Sequence, residues 1–251
     1  MSFWDALLDS LPDGEVLDVQ IGLHWTAVVV QQDGHTRCGL ASTVTAAHRH
    51  SAVPEVPQAG HLHTLPAREL AHLARDAHPP LSSVGVAALN ALQTPAPTHW
   101  QERNAEEVLA ALGKGKSVAL IGNFPFIPRL RPRVGRLDVL ELHPAPGELP
   151  AEAAPEILPQ ADIVALTSMT LINHTLDKLL PLCAPQAVVL LLGPSTPLNP
   201  ALFAHGVDML SGAVVTDIPR VLRAVQQGAN FRQVHRAGVR LVTLSKAPLP
   251  A

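Results

Sequence analysis

The sequence predicts an α/β protein: a doubly wound, mostly parallel sheet preceded by a small α+β cap. Two observations carry this. From Ser117 onward, short apolar runs alternate with helix-like segments, the pattern of right-handed crossovers in a parallel sheet. Before them come three strand-like runs and then two helical ones, with no such alternation. The Pro-rich stretch Thr94–Thr98, TPAPT, separates the two patterns and divides the chain into residues 1–95 and 96–251.

Taken in order, Phe3–Leu11 has the weak apolar spacing of a short docking helix. Val16–Val30 is rich in β-branched residues and is cut by Gly22, so it reads as two strand segments or one kinked strand. Asp33-Gly34 supplies the positive φ of a tight hairpin turn, and Arg37–Thr43 is the returning strand. Ala52–Leu65 is aperiodic and holds Pro54, Pro57 and Gly60, a loop. Ala67–Ala77 and Leu81–Leu92 read as helices, the second apolar on almost every side and therefore buried. Further on, strands are expected at Ser117–Ile121, Leu137–Leu142, Asp162–Thr167, Ala187–Leu192, Val207–Leu210 and Arg240–Leu244. Helices are expected around Ala151–Leu158, Leu171–Leu182, Pro200–Ala204 and Ile218–Gly228.

Net charge of −3 argues against a nucleic-acid or membrane-surface protein. Cys38 and Cys183 form no CxxC, which suggests a reducing compartment. No apolar run approaches the roughly 20 residues of a membrane span. The N-terminus has no basic region of a signal peptide. A cytoplasmic protein with a small-molecule partner is expected, with a homo-oligomer left open.

In a doubly wound sheet, ligands bind beyond the carboxyl ends of the strands. The loops there are Gly122-Asn123-Phe124-Pro125, Glu141-Leu142-His143-Pro144, Thr167-Ser168-Met169-Thr170 and Gly193-Pro194-Ser195-Thr196-Pro197. Their hydroxyls can cap helices or bind an anion at a helix start, and the two roles are compatible. Glu141 lies about 20 residues beyond Gly122, where an acid contacts a ribose in dinucleotide-binding folds; it equally suits a surface carboxylate. Arg129, Arg131, Arg133 and Arg136 form either a solvated loop or a phosphate contact. No GxGxxG, P-loop or GxSxG motif occurs, and Pro125 interrupts the row of N–H donors a pyrophosphate cradle needs.

His48-Arg49-His50 and His61-Leu62-His63 are alternate histidines. On a strand each pair would face one side and could share a metal ion. This gives a competing reading, direct metal binding by His48, His50, His61 and His63 with Cys38. His143 and His174 suit either a general base or a hydrogen-bonded structural residue.

Together, VQIGLHWTAVVV, GLAST and GVAALNAL in the first third, and IGNFPFI, LELHPAPGELP, TLINHTLDKLL, GPSTPL and SGAVVTD beyond it, resemble the heavy-metal chelation domain family over nearly the whole chain. The resemblance implies an enolase-N-terminal-like cap on a Rossmann-like domain, with a ligand cleft between them. The implied ligand is a nucleoside-, pterin- or siderophore-like molecule, and the implied cofactor a nucleoside-containing group or a metal chelate. Carried over position by position, the motif residues are Asn123, Phe124, Glu141, Thr170, Asn173, Ser195 and Thr196, with Thr43 and Asn90 from the cap. The reduced glycine loop sets the chain apart from dehydrogenases and methyltransferases alike.

Overall fold

The computed structural model describes residues 2–9, 11–45, 54–93 and 100–248. It opens with a six-residue helix, α1 (Phe3–Leu8), closed by a Ser2/Asp5 capping box. Strands β1 (Glu15–Ile21), β2 (Trp25–Gln32) and β3 (His35–Ser42) follow as an antiparallel sheet in the order β1-β2-β3. Val16–Val30 is thus two strands, turned at Gly22–His24. Asp33 and Gly34, both at positive φ, make the expected hairpin. Helices α2 (Ala67–His72) and α3 (Pro79–Leu92) pack beneath.

Strand β2 reads as an unbroken apolar run because both of its faces are covered. Val28 and Val30 face α3 in one hydrophobic cluster, and Ala27 and Val29 face the opposite way in another. The second cover comes from far along the chain, from α9 (Ile218–Gln226) and α10 (Phe231–Gly238), through Val221, Val225 and Val234.

The intervening elements are α4 (Ala105–Leu112), β4 (Ser117–Ile121), α5 (Ile127–Leu130), β5 (Arg136–Glu141), β6 (Leu149–Pro150), α6 (Ala154–Ile157), β7 (Ile163–Thr167), α7 (Met169–Ile172), α8 (Leu176–Leu179), β8 (Val188–Leu192) and β9 (Met209–Val215). Strand β10 (Val239–Ser245) completes a seven-stranded sheet of order β10-β9-β8-β7-β4-β5-β6. Every pairing is parallel except β9 with β10. From β4 the chain moves outward to β5 and β6, then returns to β7 on the other side of β4. That reversal opens a crevice at the carboxyl ends of β4 and β7.

Several elements differ from the sequence reading. The last strand runs antiparallel because Val239 pairs with Val215, so α9 and α10 form a helical hairpin leaving and re-entering the sheet at one point. Helices α4 and α10 have no counterpart among the expected elements, although each begins with a capping box, Asn104/Glu107 and Asn230/Gln233. The helix expected over Leu171–Leu182 breaks at Asn173-His174, where His174 takes a φ of 55°, leaving α7 and α8. Among the described residues, no helix is long and apolar enough to cross a membrane.

Candidate functional site

At the carboxyl end of β4 the chain turns on Gly122, at φ 106°. A Cβ there would lie 3.0 Å from the Cβ of Thr167 at the end of β7 and 3.3 Å from the Phe124 ring, so the positive φ and the close approach of the two strand ends both call for glycine. The next residue is held from two directions. The Asn123 backbone N–H donates to Glu141 Oε1 at 2.6 Å, and its Nδ2 donates to Glu148 Oε1 at 2.9 Å. The other oxygen of each carboxylate accepts from its own loop, Leu142 N–H at 2.9 Å and Ala145 N–H at 2.8 Å. Two carboxylates therefore brace the loops after β4 and β5 against each other. The Glu141 position expected to touch a ribose has one bond per oxygen already in use; a carboxylate can accept about four, so part of its capacity remains.

Around this brace, Phe124 stacks on Phe126 with centroids 5.1 Å apart and planes 19° from parallel. Leu142 and Met169 are 64% and 41% exposed. Across the crevice, Thr170 turns inward and its hydroxyl donates to the Thr167 carbonyl at 2.6 Å. Asn173 is exposed at the end of α7 and accepts from the Thr175 hydroxyl at 2.7 Å.

The remaining motif residues occupy a different place, the seam between cap and sheet. Ser195 is fully buried, and its Oγ accepts from the Ser42 backbone N–H at 2.8 Å. Asn90 Nδ2 donates to the Leu40 carbonyl at 2.9 Å and to the Ser195 carbonyl at 3.2 Å. Thr43 shares a 2.9 Å bond with Thr26. Thr196 is buried, and its hydroxyl finds no hydrogen-bond partner among the described residues. Ser195 and Asn90 thereby fasten β3 and α3 to the loop after β8. A second fastener is His174, whose Nε2 lies 2.7 Å from the Asp76 carbonyl. That is the structural alternative for this histidine.

The four loop arginines are each engaged. Arg129 grips Glu106 with two bonds, at 3.0 and 2.6 Å, Arg133 reaches the same carboxylate at 4.0 Å, Arg131 donates to the Leu137 carbonyl, and Arg136 pairs with Asp138. Of the four candidate metal ligands, His48 and His50 lie outside the described residues. His61 immediately precedes a 3-10 turn, Leu62–Thr64, and His63 lies within it, so neither sits on a strand. At about 120° per residue, that turn points them apart. Burial pushes the Cys38 thiol up to about 12, with the Asp18 charge adding to it. Among the described residues no group of three His, Cys, Asp or Glu is placed to hold a metal ion. Glu148, which completes the brace, carries no signal in the sequence. It sits in an aperiodic Pro/Gly loop, and nothing local marks its partner, 25 residues earlier.

Comparison with known proteins gives the family. The DUF364 profile, described as "Putative heavy-metal chelation", matches residues 104–243. The chain belongs to the DUF364 family. A second profile of the same description, DUF4213, matches residues 4–93. A DUF364 protein of unknown function from Desulfitobacterium hafniense has a crystal structure similar over 97% of both chains, with a TM-score of 0.82 and 28% identity. A DUF364 protein from Pyrococcus horikoshii shares the fold at TM-score 0.81 and 21% identity, over 96% of this chain and 99% of that one. An uncharacterized protein of Methanocaldococcus jannaschii is 23% identical over 87% of this chain and 85% of its own length.

Proposed function

We propose that the protein binds a small, flat, metal-chelating molecule, pterin- or nucleoside-like in shape, in the crevice at the carboxyl ends of β4 and β7. The observation that carries this reading is the doubly braced Asn123 at the glycine turn that ends β4. Fixing a polar amide on a rigid loop costs conformational freedom, and a pre-organised donor is what a ligand site needs. Phe124 offers a ring face beside it. The family description supports a chelate as cargo. Among the described residues no group of three His, Cys, Asp or Glu is placed to grip a bare ion at this rim, and the two carboxylates there are engaged by Asn123.

Isothermal titration against pterins, nucleosides, S-adenosylmethionine and metal chelates, with the free metal ions as separate arms, tests this. One chelate or heterocycle should bind the wild type, and Asn123→Ala and Met169→Trp should each weaken it at least tenfold without lowering the melting temperature. Unchanged binding in both variants would remove the crevice as the site. Uptake of the bare ion, with no response to any organic ligand, would restore the direct metal-binding reading.

A further inference from the structure

The edge of the three-stranded sheet carries a surface that ligand binding leaves unused. Strand β1 is an outer strand of that sheet. Along it and the turn that follows lie Leu17, Ile21 and Leu23, which are 45%, 40% and 71% exposed. The only other exposed large apolar residues among those described are Leu142 and Met169. A cavity of about 340 Å³ opens beside this row, between Val19 and Ile21 on β1 and Val56 and Leu62 opposite.

The two ends of the row carry opposite charge. At the start of β1 stand Asp13, Glu15, Asp33 and Glu69. They are gathered by the pairing of Glu15 with Gln31 and by the Ala67 N–H bond to the Gly14 carbonyl. Arg68, 3.5 Å from Asp13, offsets one of them. At the other end, Gly22 lies over Val225 and Leu23 over Gly228, so the row runs onto the α9–α10 hairpin. The outward face of that hairpin presents Arg223, Arg232 and Arg236. All three are exposed, and none makes an ion pair or side-chain hydrogen bond among the described residues. Arg220, beside them, reaches only Asp217, at 3.8 Å. By contrast Arg75, Arg129, Arg136 and Arg240 each grip a carboxylate. The asymmetry is also in the sequence. Residues 1–34 hold Asp5, Asp9, Asp13, Glu15, Asp18 and Asp33 with no lysine or arginine, and residues 218–251 hold five arginines and a lysine with no acid.

We propose that this strip is the surface through which two copies of the chain associate about a twofold axis. Contact across such an axis uses the same patch on both subunits. Laying the strip antiparallel on itself brings the acidic end of each copy to the arginine end of the other. It also brings Leu17, Ile21 and Leu23 together at the centre, beside the cavity. The strip spans roughly 20 Å along β1 at about 3.3 Å per residue, beyond the ~10 Å screening length at 0.1 M salt. The two ends therefore act as separate contacts. A polyanion laid along the same strip would meet the acidic end and leave the apolar row uncovered, so a second copy fits the whole surface better.

Sedimentation velocity on the full chain tests this, with melting temperatures recorded for each variant. The wild type should dimerise at roughly 100 μM or below, in the micromolar range of modest interfaces, and less tightly as salt rises. Arg223→Glu/Arg232→Glu, Glu15→Lys/Glu69→Lys and Leu23→Asp should each weaken the dimer at least tenfold while staying folded. An equimolar mixture of the two charge-reversed proteins should recover it, because reversed bases meet reversed acids and the untouched ends still match. A wild type that stays monomeric, a dimer indifferent to both reversals, or a mixture that does not recover would each overturn the proposal. So would a monomer that binds single-stranded RNA through Arg223 and Arg232, which would assign the hairpin face to a polyanion.

Discussion

Asp5 closes the capping box of α1, and its carboxyl is held down to about 2 from its ordinary 3.8. The backbone N–H of Ser2 is the main cause, followed by Arg75 and the Ser2 hydroxyl. Asp162 is lowered in the same sense by the hydroxyl and N–H of Ser117. A carboxyl depressed in the folded state adds stability that is whole above its unfolded value and is lost as pH falls through the folded one. The melting temperature should therefore drop between about pH 4 and pH 2. Thermal scans of Asp5→Asn should show a shallower drop, with the part due to Asp162 remaining. The cysteines give a second expectation. Burial raises Cys38 to about 12 and Cys183 to about 11, and only the thiolate reacts quickly. At pH 8 a colorimetric thiol reagent should find almost no reactive sulfur in the native protein and both cysteines after denaturation.

Among the elements, the contact of β3 with α3 is the most exacting. A Cβ on Gly39 would lie 2.1 Å from the Ala87 carbonyl oxygen and 2.3 Å from the Ala91 nitrogen. Both are helix backbone, which cannot rotate away. Gly39→Ala should destabilise by about 3 kcal/mol or more, the upper end for overpacking, read as a lower denaturant midpoint at unchanged slope. The loop after β8 should behave differently. Ser195→Ala deletes an acceptor and leaves the Ser42 N–H unpaired at the seam, costing roughly 1–3 kcal/mol. Because Ser195 fastens the cap rather than lining the crevice, Ser195→Ala should lower stability and leave ligand affinity in the crevice nearly unchanged. Equilibrium unfolding and titration calorimetry on the same sample separate the two effects.

At the scale of the whole molecule, one hydrophobic cluster runs from Phe3 and Leu7 through Leu89 to Val164 and Leu244. The cap sheet also has its second face closed by α9 and α10. Neither part can be removed without exposing the core of the other, so heat should unfold both in one transition, with calorimetric and van't Hoff enthalpies equal. Residues 1–93 expressed alone should lack dispersed amide resonances.

Much of the architecture was legible because it is written in local pattern. Apolar runs of four to six residues mark β4, β7 and β8, two of them closed by Gly122 and Gly193, β5 is marked by Leu137, Val139 and Leu140, and Asp33-Gly34 marks a hairpin by its φ requirement alone. The resemblance of scattered motifs was enough to place the chain beside its family. The motifs could not say which polar residues meet. Asn123 and Glu141 share a rim, while Ser195 and Asn90 are drawn into a seam, and the difference lies in what covers each loop. The antiparallel turn of β10 and the double cover of β2 were hidden for the same reason. The sequence by itself determined the buried strands, the hairpin and the class of sheet, since these follow from backbone preference and the period of burial. Only the tertiary structure decided which hydroxyls and carboxylates hold the protein together and which keep unused hydrogen-bonding capacity. A hydrogen bond between residues 25 or 153 positions apart leaves no trace in the order of either neighbourhood.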